Sequence, residues 1–177
     1  MNKQLKKLVL TGLFIAIGFV LPFATAQIPQ IGQMLLPMHI PVLICGFVCG
    51  WRYGLIAGLI LPLFRSVTLG MPPMFPIAVA MSFELAAYGL FAGLFYKYLP
   101  KKNIFVYVDL ILAMVLGRIV WGAAMFLLLG FTAQAPFSWA AFMNGAFITA
   151  VPGIILQLVL IPIIIIALKN ARLMENA

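Results

Sequence analysis

Residues 104–129 read IFVYVDLILAMVLGRIVWGAAMFLLL, a run from Ile104 to Leu129 in which Asp109 and Arg118 are the only ionisable groups of full charge. As a helix rising 1.5 Å per residue this run would extend about 39 Å, longer than the ~30 Å hydrocarbon core of a bilayer. Similar apolar runs precede and follow it, broken by Pro, Gly and charged residues. Together they predict an all-α integral membrane protein forming one compact domain over residues 1–177, with six transmembrane helices. The expected spans are Leu8–Thr25, Pro37–Gly50, Tyr53–Leu69, Pro76–Tyr98, Ile104–Leu129 and Ala141–Leu168. The second is the short one. Its roughly 14 residues rise only about 21 Å, so it is expected to sit buried among its neighbours.

Composition leads to the same solvent. The chain of 177 residues is 66% hydrophobic and 8% charged, against roughly a quarter charged in soluble proteins. So few charges cannot coat a water-exposed surface, and lipid must cover most of the exterior. The net charge of +8 does not indicate nucleic acid, because the basic residues are scattered between apolar runs rather than clustered on a solvated face. Met1–Lys7 followed by Leu8–Leu21 has the outline of a signal peptide, and Ala24-Thr25-Ala26 comes close to a cleavage site. The equally apolar segments downstream favour a retained first helix instead.

Cytoplasmic loops retain Lys and Arg, so the basic residues orient the bundle. With the N-terminus inside, the inner segments carry Lys3, Lys6, Lys7, Arg52, Lys97, Lys101, Lys102, Lys169 and Arg172, nine of the eleven. The outer loops, about Ala26–Leu36, Gly70–Phe75 and Gly130–Ala140, carry none. The expected topology is N-in and C-in.

Arg65, Arg118, Glu84 and His39 remain within the bilayer. Ionisable groups there are costly, which makes them functional candidates by default. Helical rise places all of them, with Asn144, in the outer half. Trp121, Gly122 and Met125 follow Arg118 at i+3, i+4 and i+7, and Tyr88 follows Glu84 at i+4, so each shares a helical face with its charged partner. Two Arg against one Glu leave one cation to balance, as a monoanionic ligand would do. The expected site is an apolar small-molecule pocket with placed polar groups: His39, Arg65, Glu84, Tyr88, Arg118, Trp121 and Asn144. The competing structural reading is an ion pair that merely locks helices together.

Small-residue spacings at Gly46/Gly50, Gly54/Gly58 and Gly89/Gly93 permit close helix approach. Gly12 and Ala16 lie away from the expected pocket and are candidates for docking another protein. Cys45 and Cys49 read as packing residues, since one His and a single CxxxC pair supply no metal-ligand set. Catalytic, metal-site and Walker patterns are missing, which excludes an enzyme and any ATP hydrolysis by this chain. A channel would want a continuous polar path, and the inner half offers only Asp109 and the mid-depth Gln157. A stand-alone secondary transporter of a small organic anion, with Glu84 as proton carrier, is the alternative, although inverted repeats are not visible. A structural membrane subunit ranks third.

The basic start Lys3–Lys7 leading into the small-residue first helix, the segment Leu36-Pro37-Met38-His39-Ile40-Pro41-Val42-Leu43, the Gly50–Gly58 turn and Gly70-Met71-Pro72-Pro73 resemble the substrate-binding S components of energy-coupling factor (ECF) vitamin transporters, in the branch that carries pantothenate, riboflavin and pyrimidines or pyridoxine. The resemblance covers nearly the whole chain. It implies a bacterial cell-membrane protein that captures a vitamin outside and works with a membrane coupling (T) subunit and two ATPase subunits, which use the ATP; no cofactor is expected on this chain. The family's first-helix AxxxA docking motif is represented by Gly12 and Ala16, a departure that preserves small size. Among the family's substrates pantothenate is favoured, because its single carboxylate suits the spare positive charge.

Overall fold

The computed structural model describes residues 2–25, 28–132, 138–144, 148–171 and 174. Among these there is no strand. The helices are α1 (Lys3–Val20), α2 (Pro29–Leu35), α3 (His39–Cys49), α4 (Trp51–Leu69), α5 (Val79–Tyr98), α6 (Asn103–Thr132), α7 (Trp139–Met143) and α8 (Val151–Asn170). A short 3-10 turn, Leu21–Thr25, extends α1, and an irregular turn, Met74–Ala78, leads into α5.

Among the described residues five segments are long and apolar enough to cross a membrane: Lys3–Ala24, Trp51–Leu69, Met74–Tyr98, Asn103–Gly130 and Val151–Asn170. Six were expected. The sixth, Pro37–Gly50, forms only the 11-residue α3, and ten of those residues are buried. A helix of that length rises about 16 Å, half a bilayer, and survives as an apolar helix because protein rather than lipid surrounds it. The span expected at Ala141–Leu168 also changes. α7 ends at Met143 and α8 starts at Val151 with Pro152 in its first turn; proline lacks an amide hydrogen and suits a helix start better than its interior. Of the nine basic residues used for orientation, Arg172 lies outside the described residues.

The basic residues define one end of the bundle, here called the basic end. α1, α4 and α6 run away from it, and α3, α5 and α8 run toward it. At the junction of α3 and α4 only Gly50 intervenes, with φ 95°, a backbone region costly to residues with a Cβ. The two helices therefore form a tight hairpin whose partner is α5. The backbones of α4 and α5 touch at Gly54 and Gly89, where a Cβ on either would strike the other helix's main chain. Gly46 brings α3 against the same Gly89 carbonyl, and Gly58 and Gly93 repeat the close approach above and below. These are the small-residue spacings of the sequence, used internally.

A larger core cluster joins α3, α5, α6 and α8 through Leu43, Phe47, Tyr88, Leu110, Ile161 and Ile165. The opposite faces of α1, α4, α6 and α8 expose Leu8, Ile56, Ile119 and Ile155 among many others, as a lipid-facing belt requires. At the basic end the Lys101 ammonium donates to the Tyr96 carbonyl at 2.5 Å and lies 3.8 Å from the Tyr96 ring centroid. Lys169 donates to the Lys101 carbonyl and to Asn103 Oδ1, tying α8 to the α5–α6 turn. Burial pushes the Lys101 ammonium below its ordinary pKa; the nearby Asp109 carboxylate opposes that shift and Lys169 adds to it.

The glycine contacts yield a direct test. Gly89→Ala adds one methyl at a backbone crossing and should destabilise the detergent-solubilised protein by about 1–3 kcal/mol, read as a drop of several degrees in thermal unfolding. Gly130→Ala, where nothing lies within 4 Å of the new methyl, should be neutral or slightly stabilising through helix propensity. Equal unfolding temperatures for the two variants would remove the close approach as a determinant of stability.

Candidate functional site

Glu84 lies in the second turn of α5 and is 1% exposed. A carboxylate enclosed to that degree needs partners. Arg118 of α6 supplies the first: its Nη1 donates to Glu84 Oε1 at 2.7 Å. The adjacent residue explains how α6 comes so close, because a Cβ at Gly117 would overlap the Tyr88 ring. Glycine at 117 thus lets Tyr88 fill the space between the helices while Arg118 reaches over it to Glu84. His39, at the start of α3, places Nε2 3.6 Å from the same Oε1. Its ring centroid is 5.3 Å from that of Tyr88, whose hydroxyl also interacts with Glu84. Three helices thus contribute His39, Glu84, Tyr88 and Arg118 to one buried group.

The charged edge of this group is only half used. Arg118 spends Nη1 on Glu84, while its buried Nε and Nη2 have no hydrogen-bond partner among the described residues. Those two atoms form the side edge of the guanidinium, the parallel pair that grips a carboxylate with two hydrogen bonds. Both ring nitrogens of His39 are likewise buried without a hydrogen bond among the described residues. Buried donors left in this state cost roughly 1–3 kcal/mol each, so their concentration in one group calls for a further polar partner.

Arg65, expected near Glu84, is placed differently. It is 3% exposed, yet its Nη1 donates to the Phe19 carbonyl at 2.5 Å. Its guanidinium carbon lies 5.8 Å and 5.2 Å from the ring centroids of Phe19 and Phe23. A cation at the carbonyl end of a helix is favourably placed, so Arg65 fastens α4 to the end of α1. Trp121 is half-buried on α6, one turn beyond Arg118, and Asn144 is exposed, apart from the enclosed group. Gly12 and Ala16 are both exposed on α1, and a Cβ at Gly12 would meet nothing within 4 Å.

Gln157 gains importance that the sequence did not give it. It is 0% exposed, with neither amide atom hydrogen-bonded among the described residues. It shares the buried face of α8 with Gly153, Ile161 and Ile165 at four-residue intervals. A lone amide at a core register position in an apolar helix was the available signal. Asp109, nearer the basic end, is 1% exposed and its Oδ1 has no hydrogen bond among the described residues. No group of three or more metal-ligating side chains occurs among the described residues.

The family described as ECF transporter, substrate-specific component, matches residues 6–165. No curated protein and no solved structure matches the chain. That match takes in every helix from α1 through most of α8, and with it the buried group around Glu84 and the exposed small residues of α1. The chain belongs to the family of substrate-specific components of ECF transporters, multi-pass membrane proteins that work with ECF T and ATPase subunits and are not an enzyme family.

Proposed function

We propose that the chain is the vitamin-capturing subunit of an ATP-driven importer in a bacterial cell membrane, and that its ligand is a small carboxylic acid, pantothenate favoured. The observation that carries this reading is the unpartnered Nε–Nη2 edge of Arg118, held in place by Glu84 on the other side of the guanidinium. A substrate carboxylate on that edge would share the guanidinium with Glu84. His39, 3.6 Å from Glu84, is the group able to take up a compensating proton. Gln157, with both a donor and an acceptor buried, suits an amide or hydroxyl elsewhere in the ligand. Trp121 would cover an apolar part.

The corresponding experiment is calorimetric titration of pantothenate and of its alcohol analogue. The acid should bind more tightly than the alcohol. Arg118→Gln should weaken acid binding ten- to a hundredfold, the worth of a charge-assisted pair at about 1.5–3 kcal/mol. Arg118→Lys should show a smaller defect, keeping charge while losing the fork. Arg65→Gln should leave affinity within about threefold of wild type, since Arg65 is engaged with α1. Equal affinity for acid and alcohol would replace the anionic ligand with a neutral vitamin.

For coupling, the exposed Gly12 and Ala16 are the surface for the T subunit, where small residues let a partner helix come within van der Waals distance. Ala16→Trp should abolish association with the coupling subunits and leave ligand binding by the isolated chain unchanged. Loss of both together would show that the site packs internally. The isolated chain should bind its ligand without accumulating it in proteoliposomes. Accumulation driven by a proton gradient and lost in Glu84→Gln would instead make the protein a secondary transporter.

The orientation follows from the basic end, which belongs to the cytoplasm under the positive-inside rule. Both termini and the turn at Lys101 and Lys102 should be inaccessible from outside. Cysteine placed at position 102 in a Cys45→Ser, Cys49→Ser background should react with an impermeant maleimide only after the membrane is opened; labelling of intact cells would invert the topology.

A further inference from the structure

The basic tips of α1 and α4 enclose a groove of about 730 Å³, far along the bundle from Glu84. Among the described residues its lining holds three basic side chains, Lys3, Lys7 and Arg52, and no acidic one, with Met174 as a further apolar wall. Lys3 and Lys7 stand one helical turn apart on α1, and Arg52 and Ile56 one turn apart on α4, so the two helices face each other across the groove with cations on both walls. Arg52 is steadied by the Trp51 ring, 5.1 Å from its guanidinium carbon. Gln4 and Tyr53 add neutral hydrogen-bonding groups.

The groove does not end in water on all sides. Ile56 forms part of its wall, and from there Ile60 and Phe64 continue along α4 at four-residue intervals, exposed by 47%, 45% and 49%. This stripe leads from the cations straight into the lipid-facing belt. A ligand that uses both features needs an anionic head with hydrogen-bond acceptors and a long apolar tail running parallel to the helices. A free phosphate would fill only the head, and an acidic protein segment has no tail to lay along the stripe.

We propose that this groove binds the phosphate headgroup of an anionic membrane phospholipid, with Lys3, Lys7 and Arg52 as its cations and the Ile56–Ile60–Phe64 stripe as the track for an acyl chain. The lipid bridges α1 and α4 at the basic end. Residues on a helix advance about 100° each, so Gly12, nine residues beyond Lys3, lies about half a turn away on the opposite face of α1. The lipid and a partner helix on Gly12 and Ala16 therefore occupy different faces and can be present together.

The test is lipid retention. The full chain is purified in mild detergent containing equal phosphatidylglycerol and phosphatidylcholine, and the retained lipid is measured by native mass spectrometry. Wild type should retain phosphatidylglycerol with at least about tenfold preference, and Lys3→Gln/Lys7→Gln/Arg52→Gln should lose that preference. If the triple variant does not fold, Lys7→Gln and Arg52→Gln should each lose about fivefold, the effect of one basic residue beside an anionic lipid. Ile56→Ser/Ile60→Ser should also weaken retention. Equal retention of both lipids, or wild-type preference in the basic variants, overturns the proposal. Displacement of the lipid by inorganic phosphate, compared with chloride at equal ionic strength, reassigns the groove to a free phosphate and overturns it too. A triple variant that keeps its lipid but no longer associates with the coupling subunits assigns the groove to an acidic protein partner instead.

Discussion

Helices surrounded by lipid gain little by burying apolar side chains against one another, because the hydrocarbon outside is as apolar as the interior. What remains is van der Waals contact, and it becomes strong only where backbones approach without side chains between them. In this protein that place is the crossing of Gly54 and Gly89, with Gly46, Gly58 and Gly93 around it. The crossing sets the spacing of α3, α4 and α5, and that spacing places the first turn of α3, with His39, beside the second turn of α5, with Glu84. The short α3 is tolerable for the same reason. Enclosed by α1, α4, α5 and α8, it has almost no surface for lipid to meet.

Upon that frame the protein places a charged pair where charges are expensive. Removing one partner of a buried pair leaves an uncompensated charge, whereas the pair itself can be close to neutral in stability. The Glu84–Arg118 pair therefore adds little net stability, while each member depends on the other. Glu84 fixes one Nη of the guanidinium, and the side edge of that group stays without a hydrogen bond among the described residues. Arg65 is the contrasting case. It has a carbonyl and two aromatic faces for company, and its role is to hold the far end of α1 to α4.

α1 is the least enclosed of the long helices, with 17% of its apolar window buried, against 61% for the segment containing α5. Its inward contacts include Gly18 under Leu61, Phe19 against Phe64, Phe14 and Ile15 on the cluster around Cys45, and the Cys45 thiol 3.9 Å from the Thr11 hydroxyl. A helix so placed keeps much of its surface outside the bundle. Gly12 and Ala16 keep one face of it thin, and the lysines at its basic end give another a charge.

The sequence by itself determined the solvent, the helical class and the family resemblance, because a chain with so few charges has only lipid to fold in and satisfies its backbone there by helices. Single long runs such as 104–129 were legible for the same reason, since period and length act locally. It also marked Glu84, Arg118, His39 and Tyr88, because ionisable groups in apolar runs stand out without any knowledge of neighbours. Which arginine meets the glutamate was decided only by tertiary structure. Arg65 and Arg118 are equivalent in sequence terms, and the choice depends on α6 crossing α5 at Gly117 while α4 turns Arg65 toward α1. The same holds for Gln157, whose isolation is a property of what surrounds it, and for the division of 141–168 into two helices. Short α3 shows the limit most clearly: hydropathy reports that a segment is apolar, and only packing determines whether lipid or protein supplies its apolar surroundings.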